Sequence, residues 1–402
     1  MIEAPLPKMV ASIITCATRN EYQPNLPAHL LPMKIIIAEP MLRRRGGHPF
    51  DHAIRLAREF SRRGHTVETH AYRNLEDDVA RDFAAEGLSL HRTFACHPFI
   101  KVDGPAGKPQ WQYHVEDVRA VLPSLADADF IYWQSLTPEQ AYALALDPPQ
   151  MRGAGMIDGH FARADLDGAK IMATALAMLR GKRHQLAFGV FDVEVAKACR
   201  EVIGDTPMGF LPDPIDVVPD TNPPRTVLRR LGFFGHQRPE RGGDILLALA
   251  ANLLKKGYEV VLQNSSQIIN PGFQHPNLIL EGFVPDVAAA MQGCDALVWP
   301  SNPQRYRRRG SGIVPIAIAC GLPVVMPRDC VPGRVLARSG AGVLYDRNEM
   351  GAILQSVDLL AQNFAAINAA ARTKALAWSQ MHTCAALADA LLAPSLPPLP
   401  HS

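Results

Sequence analysis

Residues 34–71 read KIIIAEPMLRRRGGHPFDHAIRLAREFSRRGHTVETHA. Lys34 to Ala38 is a short β-branched run, the pattern of a strand buried on both faces. A turn region from Arg43 to Pro49 follows and contains Gly46-Gly47. Then Phe50, Ile54, Leu56, Ala57 and Phe60 recur at helical spacing with arginines on the opposite face, which predicts an amphipathic helix. Gly64 ends it, and Thr66 to Ala71 reads as the next strand. Strand, helix and strand make a βαβ unit, and a right-handed crossover places the two strands parallel.

Downstream the alternation continues. Strands are expected at Asp129–Gln134, Gly155–Asp158 and Gln185–Val190, and helices at Leu166–Arg180 and Val193–Ile203, after which Met208–Leu211 leads into Pro212-Asp213-Pro214. The stretch Val218 to Arg225 (VPDTNPPR) is the best linker in the chain. A second series follows it. Strands are expected at Arg230–Phe234, Glu259–Leu262, Leu278–Gly282, Ala296–Trp299 and Pro323–Met326. Helices are expected at Asp244–Lys256, Val287–Met291 and Ile313–Ala319. Two βα series in one chain imply two parallel-sheet domains. Ligands of such sheets bind beyond the carboxyl ends of the strands. There is no internal repeat and no low-complexity tract.

Bulk properties agree. A chain of 402 residues with 48% hydrophobic and 20% charged residues favours two cores over one and excludes a disordered protein. The formal net charge of +2 gives no nucleic-acid signature. Seven cysteines, at 16, 96, 199, 294, 320, 330 and 384, are scattered without a C-x-x-C pair. That reads as a reducing compartment with neither disulfide framework nor zinc site, and no metal-ligand spacing is evident. No apolar run reaches the roughly 20 residues of a membrane helix. A cytoplasmic protein is expected, with the inner face of the membrane as a further possibility. Residues 1–32 lack periodicity and are expected to be a disordered extension.

Three segments in order carry a resemblance. Gly46-Gly47 with the following helix and Arg63-Gly64-His65-Thr66-Val67 is the first. Leu231 to Asp244 (LGFFGHQRPERGGD) is the second. Ala296 to Val325 (ALVWPSNPQRYRRRGSGIVPIAIACGLPVV) is the third. They resemble the glycine pair, the G-R-x-x-x-E-K-G segment and the P-S-x-x-E-G-F-G-x-x-x-x-E-A-M-A-C-G-x-P-V-V segment of the retaining glycosyltransferases of group 1, or family 4. Ala377-Trp378-Ser379 stands where that family has a tryptophan opening its last helix.

The resemblance implies an α/β fold of GT-B type, two Rossmann-like domains facing across a cleft. It implies an acceptor domain over residues 33–217, a linker at 218–226 and a nucleotide-sugar domain over 227–376. A last helix at 377–393 returns to the first domain. It also implies transfer of a sugar with retention and without metal, in polysaccharide biosynthesis. The nucleotide-sugar is a substrate, so no cofactor is expected. The acidic pair of the family's third segment falls on Arg308 and Ile316. Its absence leaves a second reading open, a degenerate GT-B protein that binds nucleotide, glycan or a partner without turnover.

The site residues follow from charge and backbone freedom. Departure of a diphosphate builds negative charge that cations and helix N-terminal N–H groups stabilise. Gly310, Ser311 and Gly312 before the helix at Ile313, with Arg308 upstream and Arg241 and His236 in the second segment, are the expected donor-phosphate group. Gly46 and Gly47 form a cleft loop. Asp158 and His160, after a strand of the first domain, are the expected catalytic residues, with His160 touching the transferred sugar. The arginines at 43, 44, 45, 55, 58, 62 and 63 make the first helix basic, which suits an anionic or lipid-linked acceptor and a peripheral membrane contact.

Overall fold

The computed structural model describes residues 31–103, 107–157, 166–220, 222–235, 237, 243–264 and 269–400. Residues from Leu31 onward belong to one compact unit. Of the expected site residues, Asp158, His160, His236 and Arg241 lie outside the described residues, as does most of the expected extension at 1–32.

The first series runs β1 (Lys34–Glu39), α1 (His48–Arg62), β2 (Thr66–Tyr72), α2 (Asp77–Ala85), β3 (Ser89–Phe94), α3 (Gln110–Val121), β4 (Phe130–Leu136) and α4 (Pro138–Leu146). It continues with β5 (Arg152–Ile157), α5 (Leu166–Arg180), β6 (Leu186–Val190), α6 (Val193–Ile203) and β7 (Gly209–Phe210). The seven strands pair in parallel in the order β3-β2-β1-β4-β5-β6-β7. Odd and even positions of β1 feed separate cores, as the period of a strand requires. Ile35 and Ile37 pack with Leu56, Ala57 and Phe60 of α1, while Ile36 and Ala38 face Trp133 and the α3–α4 side.

The second series runs β8 (Arg230–Phe233), α7 (Gly243–Lys255), β9 (Glu259–Gln263), β10 (Leu278–Glu281), α8 (Val287–Gln292), β11 (Ala296–Val298) and α9 (Ile313–Ala319). Then come β12 (Val324–Pro327), α10 (Val331–Ser339), β13 (Gly342–Tyr345), α11 (Met350–Gln362), α12 (Phe364–Met381) and α13 (Cys384–Leu392). Its six strands are also parallel, in the order β10-β9-β8-β11-β12-β13. Both sheets therefore reverse direction beside their first strand, and each has a switch-point crevice at its carboxyl edge.

The Pro-rich stretch expected as a linker is held against the second domain. Arg225 donates to the Cys294 and Gln292 carbonyls and pairs with Asp295, and its own N–H donates to Asn368 Oδ1 at 2.9 Å. The C-terminal expectation needs correction. The span 377–393 is two helices, and Trp378 lies inside α12, stacked 3.8 Å on His382. The break comes at His382–Thr383, where Thr383 Oγ1 accepts from Ala386 N–H at 3.0 Å and starts α13, as an N-cap threonine does. The return to the first domain is made by α13 and the segment behind it, where the Pro397 carbonyl accepts from Phe210 N–H at 2.7 Å. Leu387, Leu391 and Leu392 join the α1 core, and Asp389 pairs with Arg63 at 2.6 Å. Arg152 of β5 donates to the carbonyls of Leu391 and Leu392, satisfying groups that a helix end leaves open.

Candidate functional site

Loops from the carboxyl edges of the two sheets touch. A Cβ on Gly46, after β1, would come 3.2 Å from the exposed ring of Phe283, after β10. Gly46 has φ +72, so the turn needs a residue free to enter the left-handed region. A Cβ on Gly310, after β11, would come 3.3 Å from the Phe191 ring, after β6. Beside this second contact α6 and the second domain form an ion-paired seam. Arg334 meets Glu194 at 3.0 Å, Arg308 meets Glu201 at 2.9 Å, and Arg338 meets Asp192.

Arg308, expected on the donor phosphate, thus faces a carboxylate of the first domain. Arg307 is likewise drawn to the seam, its carbonyl accepting from Arg334. Ser311 Oγ accepts from Ile313 N–H at 3.2 Å, and Gly312 is the cap residue of α9. Among the described residues nothing lies within 4 Å of a Cβ placed on Gly312. Gly47, φ +81, caps the fifteen-residue α1.

The structure assembles a further group that periodicity and motif did not reveal. His48 and His52 stand one turn apart on α1, and their ring centroids are 3.5 Å apart. Asp213, on the segment leaving β7, lies with its Oδ1 3.1 Å from His52 Nε2. Asp213 is 3% exposed and His52 6%, while His48 is only half-buried. His48 is therefore the most exposed member of the group. Burial alone would raise the Asp213 pKa. The charge and hydrogen bond of His52, with His48 and His382 nearby, reverse that and hold the carboxyl down to about 2. His382 Nδ1 accepts from the Asp213 N–H at 3.0 Å, and burial pushes this imidazole down to about 4. The His382 carbonyl accepts from Ile215 N–H, and Asp216 Oδ1 accepts from Cys384 N–H. The two passages of the chain between the domains are thus tied to each other beside the histidine pair. The available sequence signal was His48-x-x-x-His52, a spacing that puts two imidazoles on one helix face.

Glu39 ends β1 beneath this group and is fully buried. Its Oε1 accepts from Met41 N–H at 2.9 Å, and its Oε2 from Ser135 Oγ at 2.6 Å and Gln134 Nε2 at 3.1 Å. Those donors fix the β1–β4 crevice from which α1 departs.

No protein-family model matches the chain, and no curated protein matches it by sequence. Solved structures do. A sucrose-phosphate synthase from Thermosynechococcus elongatus superposes with TM-score 0.62 at 12% identity, covering 89% of this chain and 96% of that one. HepE of Anabaena in complex with UDP-glucose gives 0.61 at 14% identity, covering 88% and 97%. The glycosyltransferase SnogD from Streptomyces nogalater gives 0.58 at 18% identity, covering 89% and 98%. The fold is GT-B. Within a GT-B chain the touching loops at Gly46–Phe283 and Gly310–Phe191 are the two rims of the interdomain cleft. Among the described residues no helix is long and apolar enough to cross a membrane.

Proposed function

We propose that the chain transfers a sugar from a nucleotide-sugar donor to a glycan or lipid-linked acceptor, within the cleft between its two sheets. The observation that carries this reading is the meeting of strand-end loops from two parallel sheets, with the half-buried His48 beside one rim. It is supported by the GT-B structures that superpose on nearly the whole chain, one of them solved with UDP-glucose.

In this reading the second domain holds the diphosphate. Arg241 and His236 follow β8 in the sequence, and Gly310, Ser311 and Gly312 precede α9. As the bond from the anomeric carbon to phosphate breaks, charge gathers on the phosphate oxygens, and fixed cations and N–H groups offset it. Gly46 and Gly47 shape the opposite wall. His48 is proposed to carry proton transfer or contact at the reacting sugar, with Asp158 and His160 as further first-domain candidates. An imidazole suits that work because its charge changes near neutral pH. Retention and independence of metal follow the family resemblance. An anionic acceptor or peripheral membrane contact remains part of the proposal, but α1 is less basic than its sequence reads. Arg58 pairs with Glu86, Arg45 with Asp82, and Arg62 and Arg63 with Glu59.

Thermal denaturation of the full chain with UDP-, GDP- and TDP-sugars tests this, followed by an assay for donor cleavage. One donor is expected to raise the melting temperature and to be consumed. Arg241→Ala is expected to lose about 1.5–3 kcal/mol of donor binding, the worth of a charge-assisted contact. A chain that responds to none of these donors and cleaves none sinks the reading.

A further inference from the structure

A second group of ligand-type side chains lies at the β2–β3 edge of the first sheet, with His70 buried, Glu68 half-buried and His91 exposed. Glu68 and His70 project from one face of β2, two residues apart. His91 of β3 stands directly opposite His70 in the parallel register. Their rings stack with centroids 4.7 Å apart at 20°. Both imidazoles turn toward one carboxylate oxygen. Glu68 Oε2 lies 3.3 Å from His70 Nε2 and 3.8 Å from His91 Nε2. One ligand atom from each of the three residues lies within 4.8 Å of the others.

We propose that Glu68, His70 and His91 form a binding site for a borderline divalent transition metal, with zinc as the ion. The spacing is what carries this. A tetrahedral zinc ion with bonds of about 2.0–2.2 Å holds neighbouring ligand atoms roughly 3.3–3.5 Å apart. The closer pair already stands at that separation. The His91 nitrogen stands a few tenths of an ångström farther from the carboxylate, and His91 is exposed, so its ring has room to turn out of the stack with His70 and close on an ion.

The surroundings supply outer support. His70 Nδ1 and Thr93 Oγ1 are 2.9 Å apart. That contact sets the ring and leaves Nε2 pointing at the carboxylate, the arrangement that orients metal-binding histidines. His91 Nε2 lies 3.0 Å from Ser89 Oγ, a contact it would exchange for the ion. Lys34 opposes the ion. Its Nζ is 3.0 Å from Glu68 Oε1 and 2.6 Å from Asp127, so Glu68 offers lysine one oxygen and the histidines the other. The fourth metal position would open to water on the exposed side of His91. Bound there, the ion would fasten β3, the edge strand, to β2. The two imidazoles and one carboxylate favour zinc, nickel or copper over magnesium.

Calorimetric titration of the full chain with zinc, and with magnesium as a comparison, tests the site. Zinc is expected to bind and magnesium not. His91→Ala and Glu68→Gln are expected to weaken zinc by more than tenfold, and Thr93→Val by roughly tenfold. His91 is exposed and outside the cleft, so His91→Ala should keep the melting temperature of the metal-free wild type, which confirms that it folds. Lys34→Ala is expected to tighten binding by removing the competing cation, and an unchanged affinity there counts against an ion beside Glu68. His48, His52 and Asp213 also present three ligand atoms within 4.8 Å. Zinc binding lost in His48→Ala but kept in His91→Ala would overturn the proposal, as would a wild-type chain that takes up no zinc.

Discussion

At the carboxyl end of β1 the chain buries Glu39 beneath a His48–His52–Asp213 group; at the matching end of β8 it places Phe233, Phe234 and Gly235. The second crevice is tied by neutral contacts. Gln263 Oε1 accepts from Gly235 N–H at 2.7 Å, and Gln237 donates to the Phe233 carbonyl. Apart from the added β7, strand order is the same in both sheets, but ionisable side chains gather at the first switch point, while among the described residues the second is built from backbone, amide side chains and apolar groups. A glycine-lined crevice with backbone N–H groups suits an anion that brings its own charge. A crevice of imidazoles and carboxylates suits proton movement at a reacting sugar.

The largest expected effect concerns that division. If the first domain carries the proton-handling group, His48→Ala should lower kcat roughly 100- to 10,000-fold while nucleotide diphosphate affinity stays near wild type. Loss of affinity with kcat intact would place His48 on the donor and erase the distinction between the two crevices.

Stability should show the same asymmetry. Asp213→Ala leaves His52 without its buried partner and should cost about 3–5 kcal/mol in urea unfolding. Gln263→Ala exposes no charge and should cost about 1–3 kcal/mol, the penalty of an unpaired buried N–H. Equal losses would show that the neutral crevice is held as tightly as the ionic one.

Acid sensitivity should also trace to the first domain and its crossing. Unfolded histidine titrates near 6.5, whereas buried His382 titrates near about 4. Between these values the unfolded chain binds the extra proton, so stability falls as the pH falls, by roughly 3 kcal/mol over that window. Asp213 acts lower. Its depressed pKa of about 2 gives stability that is complete above 3.8 and is lost as the pH drops through 2. His382→Asn keeps an acceptor for the Asp213 N–H and does not titrate there. Its unfolding free energy should fall less steeply than wild type between pH 6.5 and 4, the remaining slope coming from the other histidines that burial pushes down, His65, His70, His97 and His114. A slope equal to wild type would assign the acid loss elsewhere.

Smaller effects sharpen the comparison of the glycines. Gly46→Ala places a Cβ against Phe283 at positive φ and should cost about 1–2 kcal/mol. Gly312→Ala, at φ −72 with no described neighbour within 4 Å of its Cβ, should leave stability within about 0.5 kcal/mol and report on donor affinity alone. Arg308→Ala removes a partly exposed ion pair with Glu201 and should change stability by less than about 1 kcal/mol. A tenfold loss of donor affinity in that variant would return Arg308 to the phosphate.

Much of the architecture was legible. The run Lys34–Ala38 and the stripe Phe50–Phe60 gave β1 and α1 because buried strands and amphipathic helices write their periods locally. Other elements were harder. The strand β3 (SLHRTF) is a half-exposed edge, so its side chains lack the apolar run of a buried strand. The helix α4 was missed although Thr137-Pro138-Glu139-Gln140 forms a capping box at its start, a signal carried by two side chains rather than by hydrophobic period. In the site, Gly46 and Gly310 were read as positions where the backbone approaches a ligand; what the structure places beside them are the rings of Phe283 and Phe191, from the opposite sheet. Arg308 was read from its place in a motif, and its partner Glu201 is 107 residues away.

The sequence by itself determined two parallel α/β series, the glycines at their strand ends and the basic face of α1, since each depends on neighbours within a few turns. Only the tertiary structure decided that Asp213 stands against His52, that His70 stacks on His91, and that Arg45, Arg58 and Arg63 are answered by carboxylates. It also decided that α12 stops at Met381 and that α13, with the segment behind it, joins the first domain. Such pairings bring together residues from distant parts of the chain. Their geometry is fixed by sheet order and by the two passages between domains, and no local period or spacing carries that information.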